Sequence, residues 1–202
     1  MTTPALPKSN PGHFFEDFRC GQVLRHATPR TVTEGDLALA MALYGGRYAL
    51  FSSDPFAANC GLGAAPIDPL LAFHLVFGKT VPDISLNAVA NLGYAEGRFL
   101  APVYVGDTLR AESEVIGLKE NSNGKTGVVY VRTTGIKQDD TKVLSYCRWV
   151  MVNKRDLAAP APEARVPELA PAVRADELVL PAGLHGVRYD FGLAGSPHGF
   201  ED

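Results

Sequence analysis

The sequence of 202 residues has few cysteines, no excess of basic charge and no long apolar run. Its three cysteines, Cys20, Cys60 and Cys147, are an odd number without Cys-x-x-Cys spacing, which argues against a disulfide framework and a zinc site. The formal net charge of −3 provides no basic field for nucleic acid or an anionic membrane. No run approaches the ~18 apolar residues of a membrane span, and the N-terminus lacks the apolar core of a signal peptide. We therefore expect a cytoplasmic protein without nucleic-acid or membrane partners.

The chain does have enough apolar residues for one core, since 46% of its residues are hydrophobic and 20% are charged. The two ends differ from the middle in composition. The start is rich in proline and polar residues, and a later segment is dominated by alanine, proline and charged residues. We predict a flexible N-terminal arm (1–13), one domain (14–156), a linker (157–184) and an extension (185–202).

Two helix starts are marked by capping residues. Thr33 and Asp36 form a capping box, which predicts a helix directly after them. Asp68 as N-cap and Pro69 at the first helical position predict a second helix, with Gly78 just past its end. The residues between are almost all apolar, so this helix should be buried on most sides.

After this helix the apolar pattern changes to a period of two. The alternation from Ile84 to Tyr94 predicts a long strand, and three further strand candidates follow up to residue 154. Turn-rich segments separate these three, which indicates an antiparallel meander. A sheet of this kind needs an apolar element to close over, and the helix at 69–77 is the candidate. A helix wrapped by a long antiparallel sheet is the hot-dog arrangement, of the α+β class.

Three segments resemble the MaoC-like family of hydratases and dehydratases. The stretch "GRFLAPVYVGDTLRAESEV" (97–115) resembles the region that follows the family's central helix. "FFEDFRCGQVLRHATPRTVTEGD" resembles its N-terminal segment, and "DPFAANCGLGAAPIDPLLAF" is similar to the loop before the central helix. The resemblance covers about residues 14–155 and is closest to the N-terminal half of members with two hot-dog units. It implies a hot-dog fold and a hydro-lyase acting on a short, branched dicarboxylic acyl-CoA, with coenzyme A as part of the substrate and no other cofactor.

The same resemblance implies that this unit has no catalytic residue. Active members carry Asp-x-Asn-Pro-x-His after the first helix, where the Asp and the His are the base and the acid of hydration. Here those positions are occupied by Gly46 and Phe51, with a one-residue shift, and neither can transfer a proton. Active members also open the central helix with His-Gly, whose Gly N–H is an oxyanion donor. Asp68 and Pro69 stand there instead, and proline has no N–H.

Four residues are candidates for binding the substrate: Arg47, Tyr48, Asp68 and Arg98. Arg47 and Tyr48 lie where active members place catalytic groups and could donate hydrogen bonds to substrate oxygens. A surface arginine beside a packed tyrosine is the alternative. Arg98 could instead form an ordinary ion pair with Glu96 or Glu112. Structural roles are expected for three other residues, His74 as a core histidine, Asp54 in an Asx-type turn and Cys60 as a packed side chain.

The end of the sequence repeats its beginning, because "HGFED" (198–202) matches "HFFED" (13–17). In a protein with two hot-dog units the second would begin here. One hypothesis is therefore a hydratase half that binds substrate, exposes an apolar face and dimerises. Its acid and base would reside on a second hot-dog unit, in a homodimer or a C-terminal half. The alternatives are a stand-alone acyl-CoA-binding hot-dog protein, or a thioesterase that uses Asp68, although N-capping already occupies that carboxylate.

Overall fold

The computed structural model describes residues 10–46 and 48–185, which form one antiparallel sheet packed against a central helix. Short 3-10 turns cover Phe15–Asp17, Ala49–Phe51 and Ala175–Glu177. In these ranges, none of the helices has the length and apolar character needed to cross a membrane. The helices are α1 (Glu34–Tyr44), α2 (Asp54–Asn59) and α3 (Pro69–Thr80). The strands are β1 (Val23–Arg25), β2 (Arg30–Thr31), β3 (Ala88–Phe99), β4 (Thr108–Glu120), β5 (Thr126–Ile136) and β6 (Lys142–Asn153).

The strands lie in the order β1-β4-β5-β6-β3, and β2 pairs with β4 outside this path. β4, β5 and β6 pair with their neighbours in the sequence, which confirms the predicted meander for these three strands. β3 pairs with β6 and not with β4. After β3 the chain therefore crosses from one end of the strand order to β4 near the other end. β3 is therefore an edge strand, and its outer edge pairs with no other strand of the described residues.

The central helix α3 begins where the sequence predicts. The Asp68 carboxylate accepts a hydrogen bond from the Leu70 N–H at 2.7 Å, and Pro69 occupies the first helical position. One side of the helix packs on the sheet, whereas Leu70 on another side is 61% exposed. The prediction of burial on most sides therefore holds only for the side that faces the sheet. The buried residues are Ala72, Leu75, Val76 and Thr80.

The end of α3 differs from the prediction. The helix continues past Gly78 to Thr80, and a π-helical turn at Val81–Ser85 follows it. Ile84, predicted as the start of a strand, lies in this turn and is fully buried. Burial of its side chain in the core favours a continued helical turn, so β3 begins only at Ala88.

The helix α1 has its predicted cap but buries none of its residues. The Thr33 hydroxyl accepts from the Asp36 N–H at 3.3 Å, and the Asp36 carboxylate accepts from the Thr33 N–H at 3.0 Å. Leu39, Leu43 and Tyr44 are 60%, 66% and 77% exposed. An apolar helix with this much exposed surface leaves a large uncovered area on the described part of the chain.

The core has two parts along the inner side of the sheet. One part surrounds α3 and includes Val76 and Leu144, and the other lies under the N-terminal 3-10 turn. In the second part the Phe15 ring packs directly on Gly127, where a Cβ atom would lie 2.3 Å from the ring. A glycine is required there because the aromatic ring occupies the space of any larger side chain.

Residues 157–185, called the strap below, run outside the core and contain no helix or strand other than the 3-10 turn and a single bridge residue. Leu118 of β4 and Arg165 exchange two backbone hydrogen bonds, at 2.9 and 2.8 Å. Further along, the Glu96 carboxylate accepts from the Ala170 N–H at 3.1 Å. The strap therefore contacts the sheet at β4 and at the edge strand β3. The predicted repeat at 198–202 lies outside the described residues.

Candidate functional site

The two residues that the resemblance assigns to the positions of the family's acid and base, Gly46 and Phe51, line one small cavity. Gly46 follows α1, Phe51 ends a 3-10 turn, and Asp68 caps α3, so three elements bring them together. The cavity has a volume of about 100 Å³ and also includes Tyr48. The Tyr48 side chain is 76% exposed, and its ring centroid lies 6.1 Å from that of Phe51. Gly46, Tyr48, Phe51 and Asp68 therefore lie together, and their role in binding substrate stays a prediction.

This small cavity holds few groups that could take part in catalysis. Of the described residues that line it, only Tyr48 and Asp68 carry titratable side chains, and Asp68 already accepts the capping hydrogen bond of α3. Pro69 next to it has no N–H to donate. Arg47, the other predicted donor, lies outside the described residues. The absence of a catalytic pair from this unit stays a prediction.

An apolar cavity of about 190 Å³ adjoins the first one, and Phe51 lines both. None of the residues lining the apolar cavity is charged. The strap closes one side with Val179, Pro181 and Leu184. The strap can lie this close because residue 61 is a glycine. A Cβ atom at Gly61 would lie 2.1 Å from the Gly183 carbonyl oxygen.

Arg98 lies apart from these residues, in a larger groove between α3 and β3. The groove has a volume of about 440 Å³, and strap residues 170–173 form one wall. The guanidinium of Arg98 donates to the Glu177 carboxylate of the strap at 3.0 Å. An ordinary ion pair is thus present, but the predicted partners Glu96 and Glu112 were wrong, because the strap supplies the carboxylate.

The groove and the apolar cavity are neighbours. Phe99 lines both of them, and the first turn of α3 contributes Pro69 to the apolar cavity and Leu70 to the groove. Tyr94 of β3 and Tyr146 of β6 also line the groove. The sequence did not single out these tyrosines, because they fit the alternating pattern of ordinary strand residues.

The three residues with expected structural roles have mixed outcomes. His74 is exposed, so the prediction of a core histidine is wrong, because its side of α3 is uncovered. Asp54 has a structural hydrogen bond, but it accepts from the Ala65 N–H, 11 residues away, at 2.9 Å, and does not form an Asx turn. Cys60 is 7% exposed and packed, which confirms the prediction.

A buried polar chain that the sequence reasoning missed connects β1, β4 and β5. His26 Nδ1 lies 2.7 Å from the Asp83 carboxylate, and Nε2 lies 2.8 Å from the Ser113 hydroxyl. Ser113 in turn is 2.8 Å from the Thr133 hydroxyl. Burial lowers the pKa of His26, and the Asp83 carboxylate opposes this shift. The order acid, histidine, serine resembles a catalytic triad, but Ser113 is 1% exposed and none of the cavities above reaches it.

Among residues 10–46 and 48–185, no group of three or more histidine, cysteine or acidic side chains is placed to hold a metal ion.

Comparison with known proteins identifies relatives across nearly the whole chain. A family model described as mesaconyl-CoA hydratase matches residues 6–184. The mesaconyl-CoA hydratase of Cereibacter sphaeroides is 67% identical over 195 residues, which are 96% of this chain and 57% of that protein. The β-methylmalyl-CoA dehydratase of Chloroflexus aurantiacus is 60% identical over 195 residues, again 96% of this chain and 55% of that protein. The chain thus spans little more than half the length of these curated relatives.

Solved structures confirm the predicted α+β hot-dog fold. A MaoC domain protein dehydratase from Chloroflexus aurantiacus superposes with a TM-score of 0.88 at 61% identity, over 96% of this chain and 55% of that one. A Mycobacterium tuberculosis protein with a double hot-dog fold gives a TM-score of 0.65 at 29% identity, over 85% of this chain and 52% of that one. In both cases this chain corresponds to about half of the larger protein.

Proposed function

This chain belongs to the mesaconyl-CoA hydratase family, and on that basis we propose that it is the N-terminal, substrate-binding unit of a CoA-thioester hydro-lyase. The reaction would interconvert mesaconyl-CoA and β-methylmalyl-CoA, the thioesters after which the curated relatives are named. Hydration adds water across a carbon–carbon double bond, so it needs a base for the water, an acid for the carbon and donors for the thioester oxygen.

The observation that carries the proposal is the small cavity at Gly46 and Phe51. By the resemblance, Gly46 and Phe51 stand at the positions of the family's acid and base, and the described lining of the cavity offers only Tyr48 and the capped Asp68 as titratable groups. The chain also spans only 57% and 55% of its curated relatives. Together these findings support an acid and a base located on a second hot-dog unit, either a C-terminal half or another copy.

The uncovered apolar surface supports such a partner. Val89 and Leu92 on the edge strand β3 are 57% and 43% exposed, and Leu70 on α3 and Leu43 on α1 are similarly uncovered. An edge strand with apolar side chains and a free edge favours pairing with another chain or domain. A second hot-dog unit alongside β3 would cover this surface and extend the sheet.

The test is an assay of the purified 202-residue chain with mesaconyl-CoA, with and without a co-expressed second unit from a longer family member. We expect the chain alone to show no turnover above background, because the described lining of its cavity offers only Tyr48 and the capped Asp68 for proton transfer. We expect turnover when the second unit is present. Turnover by the chain alone at the rate of the assembled enzyme would contradict the proposal, and binding without turnover in either state would favour a stand-alone acyl-CoA-binding protein.

Thioesterase activity is the second candidate, because Asp68 is a carboxylate at the start of the central helix and lines the cavity. Two variants separate its structural role from a chemical one. Asp68→Asn keeps a good N-cap but removes the carboxylate, and Asp68→Ala removes both. If Asp68 acts only as a cap, thioester hydrolysis by Asp68→Asn equals that of the parent chain.

A further inference from the structure

Arg148 of β6 is a buried cation without an acidic partner. It is 1% exposed, and it forms no ion pair with a carboxylate of the described residues. Its Nη2 donates to the Thr80 hydroxyl at 3.1 Å, and its guanidinium carbon lies 4.7 Å from the centroid of the Phe77 ring. Its Nε has no hydrogen-bond partner. A guanidinium cannot give up its proton in a protein, so an anion from elsewhere is expected to balance the charge.

Tyr146 adds a second open donor beside Arg148. Its hydroxyl is buried and forms no hydrogen bond of standard geometry, although the hydroxyls of Thr80 and Thr133 lie near it and its residue lines the groove between α3 and β3. Burial raises the pKa of Tyr146 to about 12, so the hydroxyl keeps its proton and can donate. Buried polar atoms are nearly always paired, so an unpaired hydroxyl on a residue that lines a groove calls for a functional explanation.

Tyr94 supplies a third donor from the neighbouring strand β3, where it lies opposite Arg148 in the β3–β6 pairing. Its ring centroid is 6.1 Å from that of Tyr146, and Asn91 Nδ2 donates to its hydroxyl oxygen at 2.6 Å. Because the oxygen already accepts, the O–H proton of Tyr94 is left to donate. Arg98, the other arginine of the groove, is paired with Glu177, so it is not the cation that an incoming anion would balance.

We propose that Tyr94, Tyr146 and Arg148 form a recognition site for the free carboxylate at the distal end of a dicarboxylic acyl-CoA. The two hydroxyls donate from the wall of the groove, and Arg148 provides positive charge from behind them. This inference rests on the proposed function. It assigns recognition of the free carboxylate to the groove and not to the small cavity at Gly46 and Phe51. A thioester with an apolar group in place of the carboxylate would leave the donors unpaired, and unpaired buried donors are a strong basis for rejecting a ligand.

The test compares mesaconyl-CoA with tiglyl-CoA, in which a methyl group replaces that carboxylate. Binding is measured by calorimetry on the full 202-residue chain and repeated, with turnover, on its assembly with a second hot-dog unit. We expect the parent chain to prefer mesaconyl-CoA by at least about tenfold. Tyr146→Phe and Arg148→Gln should each remove most of this preference and leave the affinity for tiglyl-CoA unchanged. Tyr94→Phe should have the same effect to a smaller degree, since the Tyr94 ring is half exposed.

The matched control is Tyr130→Phe, because this tyrosine stacks on Trp149 and does not line the groove. Its preference should equal that of the parent chain. If Arg148→Gln does not fold, the two tyrosine variants decide the question alone. The site is overturned if the tyrosine variants keep the preference for mesaconyl-CoA. It is also overturned if they lose affinity for both thioesters equally. Loss of assembly in the variants with the preference intact also overturns it, since the anion would then be an acidic residue of the second unit.

The outcomes also separate this inference from the proposed function. If the parent assembly binds and hydrates thioesters of both kinds equally well, the proposed function stands and the carboxylate site is wrong. If it binds and hydrates neither thioester, the proposed function fails and the carboxylate site fails with it.

Discussion

Two sets of buried polar side chains meet on the inner side of the same sheet, and they differ in how completely they are hydrogen-bonded. In the first set, His26 is paired at both ring nitrogens, and Ser113 is paired with His26 and Thr133. In the second set, Tyr146 and Arg148 each keep an atom without a partner. Thr133 and Tyr146 are opposite each other in the β5–β6 pairing, so the two sets are adjacent.

The difference separates a structural role from a binding role. A closed network of buried hydrogen bonds stabilises one arrangement of the core and offers nothing to a ligand. Open donors next to a groove cost stability until a ligand satisfies them. The triad-like order of Asp83, His26 and Ser113 is therefore misleading as a sign of catalysis. The less conspicuous Arg148 and Tyr146 are the better candidates for function.

The largest effect is expected from His26→Leu, which breaks the closed network. It leaves the Ser113 hydroxyl and the Asp83 carboxylate without their buried partner, at a cost of about 3 kcal/mol in the free energy of unfolding. Urea denaturation measures this change. His74→Leu on the exposed side of α3 is the control and should change the free energy by less than about 0.5 kcal/mol. Similar small losses in the two variants would mean that the hydrogen bonds of His26 do not stabilise the core.

The next effect has the opposite sign. Arg148→Met removes a buried charge that lacks a counter-ion and fills most of its volume, so the chain should become more stable by about 1–2 kcal/mol despite the lost hydrogen bond to Thr80. The same denaturation measurement checks it, with mesaconyl-CoA binding measured in parallel. A less stable Arg148→Met variant would mean that the guanidinium is already satisfied in this unit.

A smaller effect concerns pH. Burial places the pKa of His26 in the folded chain below its ordinary value of 6.5. Between these two values the unfolded chain binds more protons than the folded chain, so the free energy of unfolding decreases as the pH falls below about 6.5. Denaturation from about pH 7.5 to about pH 5 measures this slope. His26→Gln should flatten it, and an equal slope in that variant would assign the dependence to other groups.

The smallest effect is expected for the ion pair that ties the strap to β3. The Glu177 side chain is 44% exposed, so Glu177→Gln should cost less than about 1 kcal/mol. Glu168→Gln in the same strap is the control. A larger loss for Glu177→Gln, measured by denaturation at low and high salt, would show that the pair belongs to the interior and not to the surface.

The sequence predicted the features that depend on neighbouring residues. The helix starts at Thr33 and Asp68 follow from side chains within three positions of each other, and both caps are present. The family motif directed attention to Gly46 and Phe51, and both residues line the same cavity. The late end of α3 was missed because it depends on burial of Ile84 against strands that are distant in the sequence.

The features that were missed depend on long-range contacts. His26 and Ser113 are 87 residues apart, and Arg98 and Glu177 are 79 residues apart, so no local pattern indicates either pair. Arg148 is a different case. It shares the inward side of β6 with Tyr146 and Val150, but an arginine in an alternating strand is ordinarily assigned to the outer side. The alternating pattern of β6 therefore did not indicate that the charge of Arg148 is buried.

The strap has a consequence for how the protein is made on the ribosome. Its last described anchor is the hydrogen bond from the His185 N–H to the Cys60 carbonyl oxygen at 3.0 Å, which joins positions far apart in the order of synthesis. The sheet and central helix are complete in the nascent chain by residue 153, but the wall formed by Val179, Pro181 and Leu184 is translated only after them. During translation the apolar cavity therefore stays open to solvent, and to chaperones, until the strap emerges and closes it.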